Sequence, residues 1–496
     1  MVRTRRRSWV VGVAVAAMFA VAFIVLGRGG TETDPATAEP ALPPDQQFHS
    51  RPDLRPPQMT VETLRGQTAP GKLLLAPKRR PGQRGVAILD ERGTLVWWRP
   101  MRGDLIANDL RVQRFRGRPV LTWWEGRTND RGYGKGSWVI ADTSYREIAR
   151  VRAGNGSMGD LHDMVLTPQG TALITVYEPF DADLRLVNSP RPGRAVDSII
   201  QEVEIPSGKV LWEWHSKDHV ALAESMAVGP KTPRTLGLAY DYFHINSIDI
   251  EPDGDLLVSA RNTWALYKID RPSGKVLWRL GGRRSDFALG PGVRFAWQHD
   301  ARRMPDGTIT VFDNQATPRV EDRSSAVVIK LDERRRRATV VREVSHPDKV
   351  LSIAEGNAQM LPGGGFLIGW GMARRVSELS ADGKLLFDLR LPRDTDTYRA
   401  YRMPWRGMPA ERPQMAAERD GDKVTAWASW NGATEVTHWE LLAGDTPRTL
   451  RRVALVRRQG FETELTAETD AQWVAVRALR GAKPLARSAP RRVDPG

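Results

Sequence analysis

Four times in this chain a Pro-x-Gly turn separates two short apolar segments: Pro168-Gln169-Gly170, Pro252-Asp253-Gly254, Pro305-Asp306-Gly307 and Pro362-Gly363-Gly364. Such a turn between alternating segments predicts a β-hairpin. After three of them comes a second hairpin with a glycine, a basic residue, two apolar residues and an aromatic: SGKVLW ending at Trp212, SGKVLW ending at Trp278 and DGKLLF ending at Phe387. A looser copy, RGTLVW, ends at Trp97 near the start. Two hairpins make a four-stranded unit, and the units fall at about 70–100, 105–151, 161–214, 243–280, 297–344 and 355–391. Ordered recurrence of units of roughly 40 residues predicts an all-β fold, a six-bladed β-propeller, rather than one sandwich. The long insertions 180–196 and 216–241 then lie between strands, as loops on one face.

Outside the repeat, the chain reads as three further pieces. RTRRR at 3–7 precedes an uncharged apolar run from Trp9 to Leu26. Eighteen such residues span about 27 Å as a helix, enough for a hydrocarbon core. Residues 1–30 are therefore expected to be a transmembrane signal-anchor, with the arginines cytoplasmic and the body outside the membrane. A cut near Ala36-Thr37-Ala38 would instead release the body as a secreted protein. The Pro-, Ala- and Thr-rich stretch 31–57 is expected to be a flexible tether, 58–410 the propeller, and 420–493 a small β-sandwich resembling a fibronectin type III module.

The net charge of +15 is spread along 496 residues, and its second short run, ERRRR at 333–337, reads as a solvated turn. No nucleic-acid-binding motif accompanies it. The absence of cysteine excludes disulfides, thiolate metal sites and cysteine nucleophiles.

In a propeller, the innermost strand of each blade faces the axis. Aligning the first hairpins puts Asn108, His162, His244, His299 and Asn357 at roughly corresponding positions. His162 precedes Gly170 by eight residues and His299 precedes Gly307 by eight, while His244 precedes Gly254 by ten, which keeps it on the same face of a strand of period two. Asn246 takes the eight-residue position there. The three histidines are expected to converge on one mouth of the channel. Arg261, 17 residues after His244, is expected on the next strand of that hairpin, reaching back toward the same mouth. His215 and His219 in HSKDH are expected to be loop residues.

The segments HDMVLTPQG, FHINSIDIEPDGDLLVSARNTWALYKID, WRLGG, WQHDARRMPDGTITVFDN and EGNAQMLPGGGFLIGWG, in this order over most of 70–395, resemble the bacterial arylsulfotransferase family. That family transfers sulfuryl groups between phenols without the nucleotide donor PAPS, on a six-bladed propeller with a histidine-lined central site. The resemblance implies an aryl sulfate donor, a phenolic acceptor and no cofactor or resident metal. It implies that His299 is the nucleophile, through a covalent sulfohistidine. His244 or His162 would act as acid and base, and Arg261, Asn246 and, more weakly, Asn357 would hold the sulfuryl oxygens. Two readings from other classes stay open: a binding or scaffold propeller without turnover, and a hydrolase with a metal held by the three histidines.

Overall fold

The computed structural model describes residues 45–493, except 80, 81, 130, 233, 234 and 236. The expected signal-anchor, and the tether up to residue 44, lie outside the described residues. Among the described residues no helix is long and apolar enough to cross a membrane.

The fold is all-β and almost entirely antiparallel. At the second of the Pro-x-Gly turns, Gly254 takes φ +91°, a left-handed conformation that glycine adopts without a Cβ clash. Its N–H donates to the Glu251 carbonyl at 2.9 Å, and Glu251 N–H donates to Asp255 at 2.8 Å. The closed turn sets Ile245–Ile250 beside Leu256–Ala260, with Ile248 opposite Val258. Strands Ala265–Ile269 and Val276–Gly281 continue the sheet outward.

The same order of four recurs along the chain. It is built by Ile106–Phe115, Arg118–Thr128, Gly134–Ala141 and Glu147–Val151, then by Gly159–Leu166, Thr171–Ala182, Gly193–Glu204 and Val210–His215. These two units join through one pairing, Gly159 with Gly136. Beyond the unit that begins at Ile245 come His299–Arg303, Ile309–Asp313, Ser325–Asp332 and Arg337–Ser345, and finally Asn357–Met360, Phe366–Gly369, Arg375–Leu379 and Leu385–Arg390. The first unit differs. Lys72–Leu75, Gly85–Leu89 and Leu95–Pro100 take their fourth, leading strand from Ala400–Met403, far along the chain. The sequence pattern missed that strand because AYRM is too short to show a period and no turn signal adjoins it.

Strands such as Leu256–Ala260 are buried at every position, as expected where both faces of a sheet are covered. Leu257 and Leu266 pack with Ile309, Val311 and Ile329 of the following unit. Phe312 and Val328 pack in turn with Phe366 and Ile368. Leu367, Val376 and Phe387 of the last unit then pack with Leu73, Leu75 and Ala87 of the first. The aromatic of the second hairpin is part of this packing, with Trp97, Trp278 and Phe387 buried and Trp212 half-buried.

After the units come two facing sheets, Gln414–Asp420 with Lys423–Ser429 and Glu462–Glu468, and His438–Gly444 with Arg451–Arg457, Trp473–Arg480 and Lys483–Arg487. They enclose a core of their own around Val424, Trp439, Leu441, Leu465 and Val476. Asn431 ties this part to the first unit, accepting from Trp98 N–H at 2.9 Å and donating to Trp98 O at 2.8 Å. Of the stretch expected to be a tether, residues 45–57 are described, and they pack here: Phe48 lies 4.4 Å from Phe461, His49 stacks at 4.0 Å on Trp427, and Ser50 N–H donates to Glu462 at 2.7 Å.

Candidate active site

Four leading strands lose register just after their first residues, between Asn108 and Arg111, Gly159 and Met164, Ile245 and Ser247, and His299 and Arg302. A bulge of this kind re-aims side chains locally. Asp109 and Asp300 take φ +55° and +53° there, and His244, just ahead of its strand, takes +59°.

The bulges bring the three histidines together. The rings of His162 and His244 are 4.8 Å apart, nearly perpendicular, and both lie against Tyr177, at 5.4 and 5.7 Å. Tyr398 joins them to the third, 5.7 Å from His162 and 6.3 Å from His299. All three are buried, at 2%, 5% and 2% exposure for His162, His244 and His299.

Their Nδ1 partners differ in charge. His162 Nδ1 meets Asp160 at 2.5 Å and His244 Nδ1 meets Asp241 at 2.5 Å. His299 Nδ1 meets the side-chain oxygen of Asn314 at 2.7 Å. The Asn314 amide nitrogen donates to the carbonyls of Ser352, at 3.2 Å, and Glu355, at 2.8 Å. Its oxygen therefore faces the ring as an acceptor, so His299 Nδ1 carries the proton and Nε2 keeps a lone pair. Burial, followed by the nearby Arg261 cation, holds His299 well below the ordinary imidazole value. Burial also lowers His244, with Asp241 pulling the other way. A carboxylate on Nδ1 favours an imidazolium and an amide does not.

Arg261 sits in the short 3₁₀ turn Arg261–Thr263 that follows Leu256–Ala260, rather than on the strand where its spacing had placed it. The turn is fastened to the site, because Arg261 N–H donates to His244 O at 2.8 Å. Its guanidinium donates to Asn262 at 2.9 Å and lies 4.8 Å over the Trp297 ring. Among the described residues no carboxylate lies within ion-pair distance of it. Burial lowers its pKa to about 10, with Asp241 the main opposing charge. The structure thus keeps a buried cation beside three imidazoles without neutralising it directly.

The three asparagines differ in what their amides meet. Asn357 donates to Ala400 O at 2.7 Å and accepts from Ala400 N–H at 2.9 Å, so this amide braces the last unit on the first. An aligned offset does not tell an amide facing the channel from one facing a neighbouring strand. Asn246 donates to Gln298 O at 2.7 Å, while its side-chain oxygen is buried without a partner among the described residues. Both polar atoms of the Asn108 amide are in that same state.

Alongside the histidines lies a buried network of six charges. Arg399, with no exposed surface, reaches Asp109 at 3.1 Å and Asp300 at 3.5 Å, and donates to Asn246 O at 2.6 Å. Arg111 and Arg302 bind Asp163 at 2.6 and 2.9 Å. Burial works against the Asp163 carboxylate, but the three arginines hold it well below the usual range. Each of these aspartates directly follows an aligned position: Asn108-Asp109, His162-Asp163 and His299-Asp300. That pairing was readable in the sequence, as were Asp160 and Asp241 close before their histidines. Tyr398 and Arg399 carried no signal. His215 pairs with Asp197 at 2.7 Å, away from the three. Among the described residues no group of three or more His, Asp or Glu side chains is spaced to hold a metal ion. Two surface concavities, of about 520 and 270 Å³, are lined by residues around Asp181–Arg194 and around Glu91 and Arg458, and neither includes a site histidine.

The sequence profile of the arylsulfotransferase (ASST) family matches residues 111–391, more than half of the chain. The chain belongs to the arylsulfotransferase family. No curated protein matches it. Among solved structures, a protein of unknown function from Bacteroides caccae is 15% identical, with 67% of this chain and 98% of that one covered at a TM-score of 0.41. Virginiamycin B lyase from Staphylococcus aureus is 10% identical, with 75% and 96% covered at a TM-score of 0.33. In this arylsulfotransferase-family chain the match spans all three histidines, Arg261 and Asn314, and ends before Tyr398 and Arg399.

Proposed function

We propose that the chain moves a sulfuryl group from an aryl sulfate ester to a phenolic acceptor, with His299 as the covalent carrier. The observation that carries this reading is the Asn314 amide, whose two carbonyl partners leave its oxygen no role but acceptor for His299 Nδ1. Nε2 is then the free nucleophile of a ring kept neutral by burial and Arg261.

The donor's sulfuryl oxygens are anionic, and transfer passes through a loose, anionic transition state. Arg261, with no carboxylate at ion-pair distance among the described residues, supplies the cation. As the N–S bond to His299 forms and the S–O bond to the aryl group breaks, the departing oxygen takes a proton from His244 or His162. For His244, the Asp241 carboxylate favours the imidazolium that precedes this step, against the burial that disfavours it. The acceptor phenol then returns a proton to the same histidine while its oxygen attacks sulfur and the S–N bond breaks. Protons balance over the cycle, which needs no cofactor.

The finer architecture belongs to the same proposal. Packing of the last unit on the first, with Ala400–Met403 leading the first unit, supports closure as a six-bladed propeller. The apolar run Trp9–Leu26 behind RTRRR supports an exported body held at the membrane by a signal-anchor. Fractionation of the producing cells tests the second point, since a chain recovered from the cytoplasm contradicts it. Release of 4-nitrophenol from 4-nitrophenyl sulfate, with and without added phenol, tests the activity. A folded chain that turns over no aryl sulfate at any pH leaves the binding-module reading in its place.

A further inference from the structure

A second ionisable cluster adjoins the histidines and has no part in the cycle above. Glu355 opens the turn into Asn357–Met360 with φ +65°, followed by Gly356 at +106°. A Cβ on Gly356 would come within 2.3 Å of Phe312, and one on Gly371 within 2.7 Å of the Glu355 Cβ, so neighbours on both sides fix this corner. Its backbone is bonded into the site. Glu355 O accepts from Asn314, the residue that orients His299, at 2.8 Å. Gly356 N–H donates to Tyr398 O at 2.9 Å, and Tyr398 touches both His162 and His299.

The side chain makes an ion pair with Lys78, which also binds Asp396 at 3.0 Å. One cation thus faces two carboxylates, and Asp396 alone neutralises it. The other carboxyl oxygen of Glu355, Oε2, is buried without a hydrogen-bond partner among the described residues. A carboxylate in that position lacks solvation and is surplus to the charge balance, so a proton stabilises it. The groups bearing on it are Lys78, Asp396 and His162, while Asn314, Tyr398 and the turn Gly371–Ala373 present no charge. Burial pushes its pKa up to about 7, with Lys78 and His162 opposing the rise and Asp396 adding to it.

Resting on the proposed function, we infer that Glu355 is a positioning residue that takes up a proton when the sulfate group of the donor enters, so that the incoming anion does not meet a second negative charge beside His162. An anion bound nearby disfavours the ionised carboxyl, and binding is then linked to proton uptake just above the pKa of the free site. Only binding of the anionic group is involved, and no bond is made.

The probe is benzenesulfonate, which carries the aryl ring and the sulfonate oxygens on a C–S bond that cannot be transferred. Calorimetric titration of the full chain in detergent, at pH 7.5 in two buffers of different ionisation heat, measures protons taken up per ligand. Wild type is expected to take up about half a proton or more. Glu355→Gln, an isostere fixed in the neutral state, is expected to lose at least about half of that uptake and much of the decline of affinity above pH 7. Lys78→Met keeps the test open if the glutamine variant does not fold, since loss of the cation should move the uptake to higher pH. Unchanged uptake in a folded Glu355→Gln, or an unmoved profile in Lys78→Met, overturns the inference. A chain that turns over aryl sulfate yet binds benzenesulfonate without proton uptake overturns it alone. One that neither binds nor turns over ends both readings.

Discussion

His299 Nδ1 lies 2.7 Å from the Asn314 amide oxygen, while the two neighbouring histidines each face a carboxylate at 2.5 Å. Under the proposed function, one atom type therefore separates the proposed carrier, which must stay neutral, from the proposed acid–base groups, which must accept a charge. Asn314→Asp removes the distinction. The new carboxylate raises the His299 pKa, so the ring is protonated and unreactive below that value. The donor half-reaction at pH 7 is expected to slow roughly tenfold for each unit by which the new pKa exceeds 7 and to recover as pH rises through it. Stopped-flow release of nitrophenol against pH checks this, and a variant as fast as wild type at pH 7 contradicts it.

Asp241→Asn works in the other direction. Asp241 opposes the burial that lowers His244, so without it the imidazolium forms only at lower pH. Donors whose phenolate departs poorly need that proton, and their rates are expected to fall about 100-fold, with the alkaline limb moved to lower pH. Nitrophenyl sulfate, whose leaving group needs little help, is expected to change much less. A leaving-group series measures the contrast, and an equal effect on every donor would remove His244 from the proton step.

Arg261→Lys keeps a positive charge and loses the planar fork. Its guanidinium is placed by Asn262 and by the Trp297 ring, neither of which orients an ammonium in the same way. The barrier is expected to rise by about 2–4 kcal/mol, as for loss of one preorganised oxyanion donor, with the fold unchanged. Steady-state kcat/KM for the donor reads this directly.

Arg399→Met tests the buried charge network as a stability device. It leaves Asp109 and Asp300 each short of a buried partner, which costs about 3–5 kcal/mol when one member of such a set is removed. Urea unfolding should show the loss. A change under about 1 kcal/mol would mean that water or the remaining arginines take over the load.

The site could be read in the sequence where it follows the repeat. His162, His244 and His299 stand at a near-constant distance from a turn glycine, and strands of period two convert that spacing into a shared direction. Arg261 was legible as a neighbour, though the 3₁₀ turn that aims it was not. Asn357 followed the same spacing, yet its amide pairs with Ala400, because a leading strand has a neighbouring strand beside it to which a side chain can bond. Tyr398, Arg399 and Ala400–Met403 were invisible for another reason. They lie beyond the last repeat: Ala400–Met403 pairs with Lys72–Leu75 across some 330 residues, and Arg399 reaches Asp109 from nearly as far away in the chain, contacts that no local pattern encodes.

Transfer through His299 is the central claim, and the intact mass of the protein after mixing with donor alone tests it most directly. A base quench suits the measurement, because an N-sulfonated imidazole is expected to be labile in acid. With no acceptor present, wild type should gain one sulfonate and release one phenol in a burst, and a folded His299→Asn variant should show neither. A wild-type chain that turns over donor without ever carrying the adduct, together with a His299→Asn variant of undiminished rate, would contradict the account.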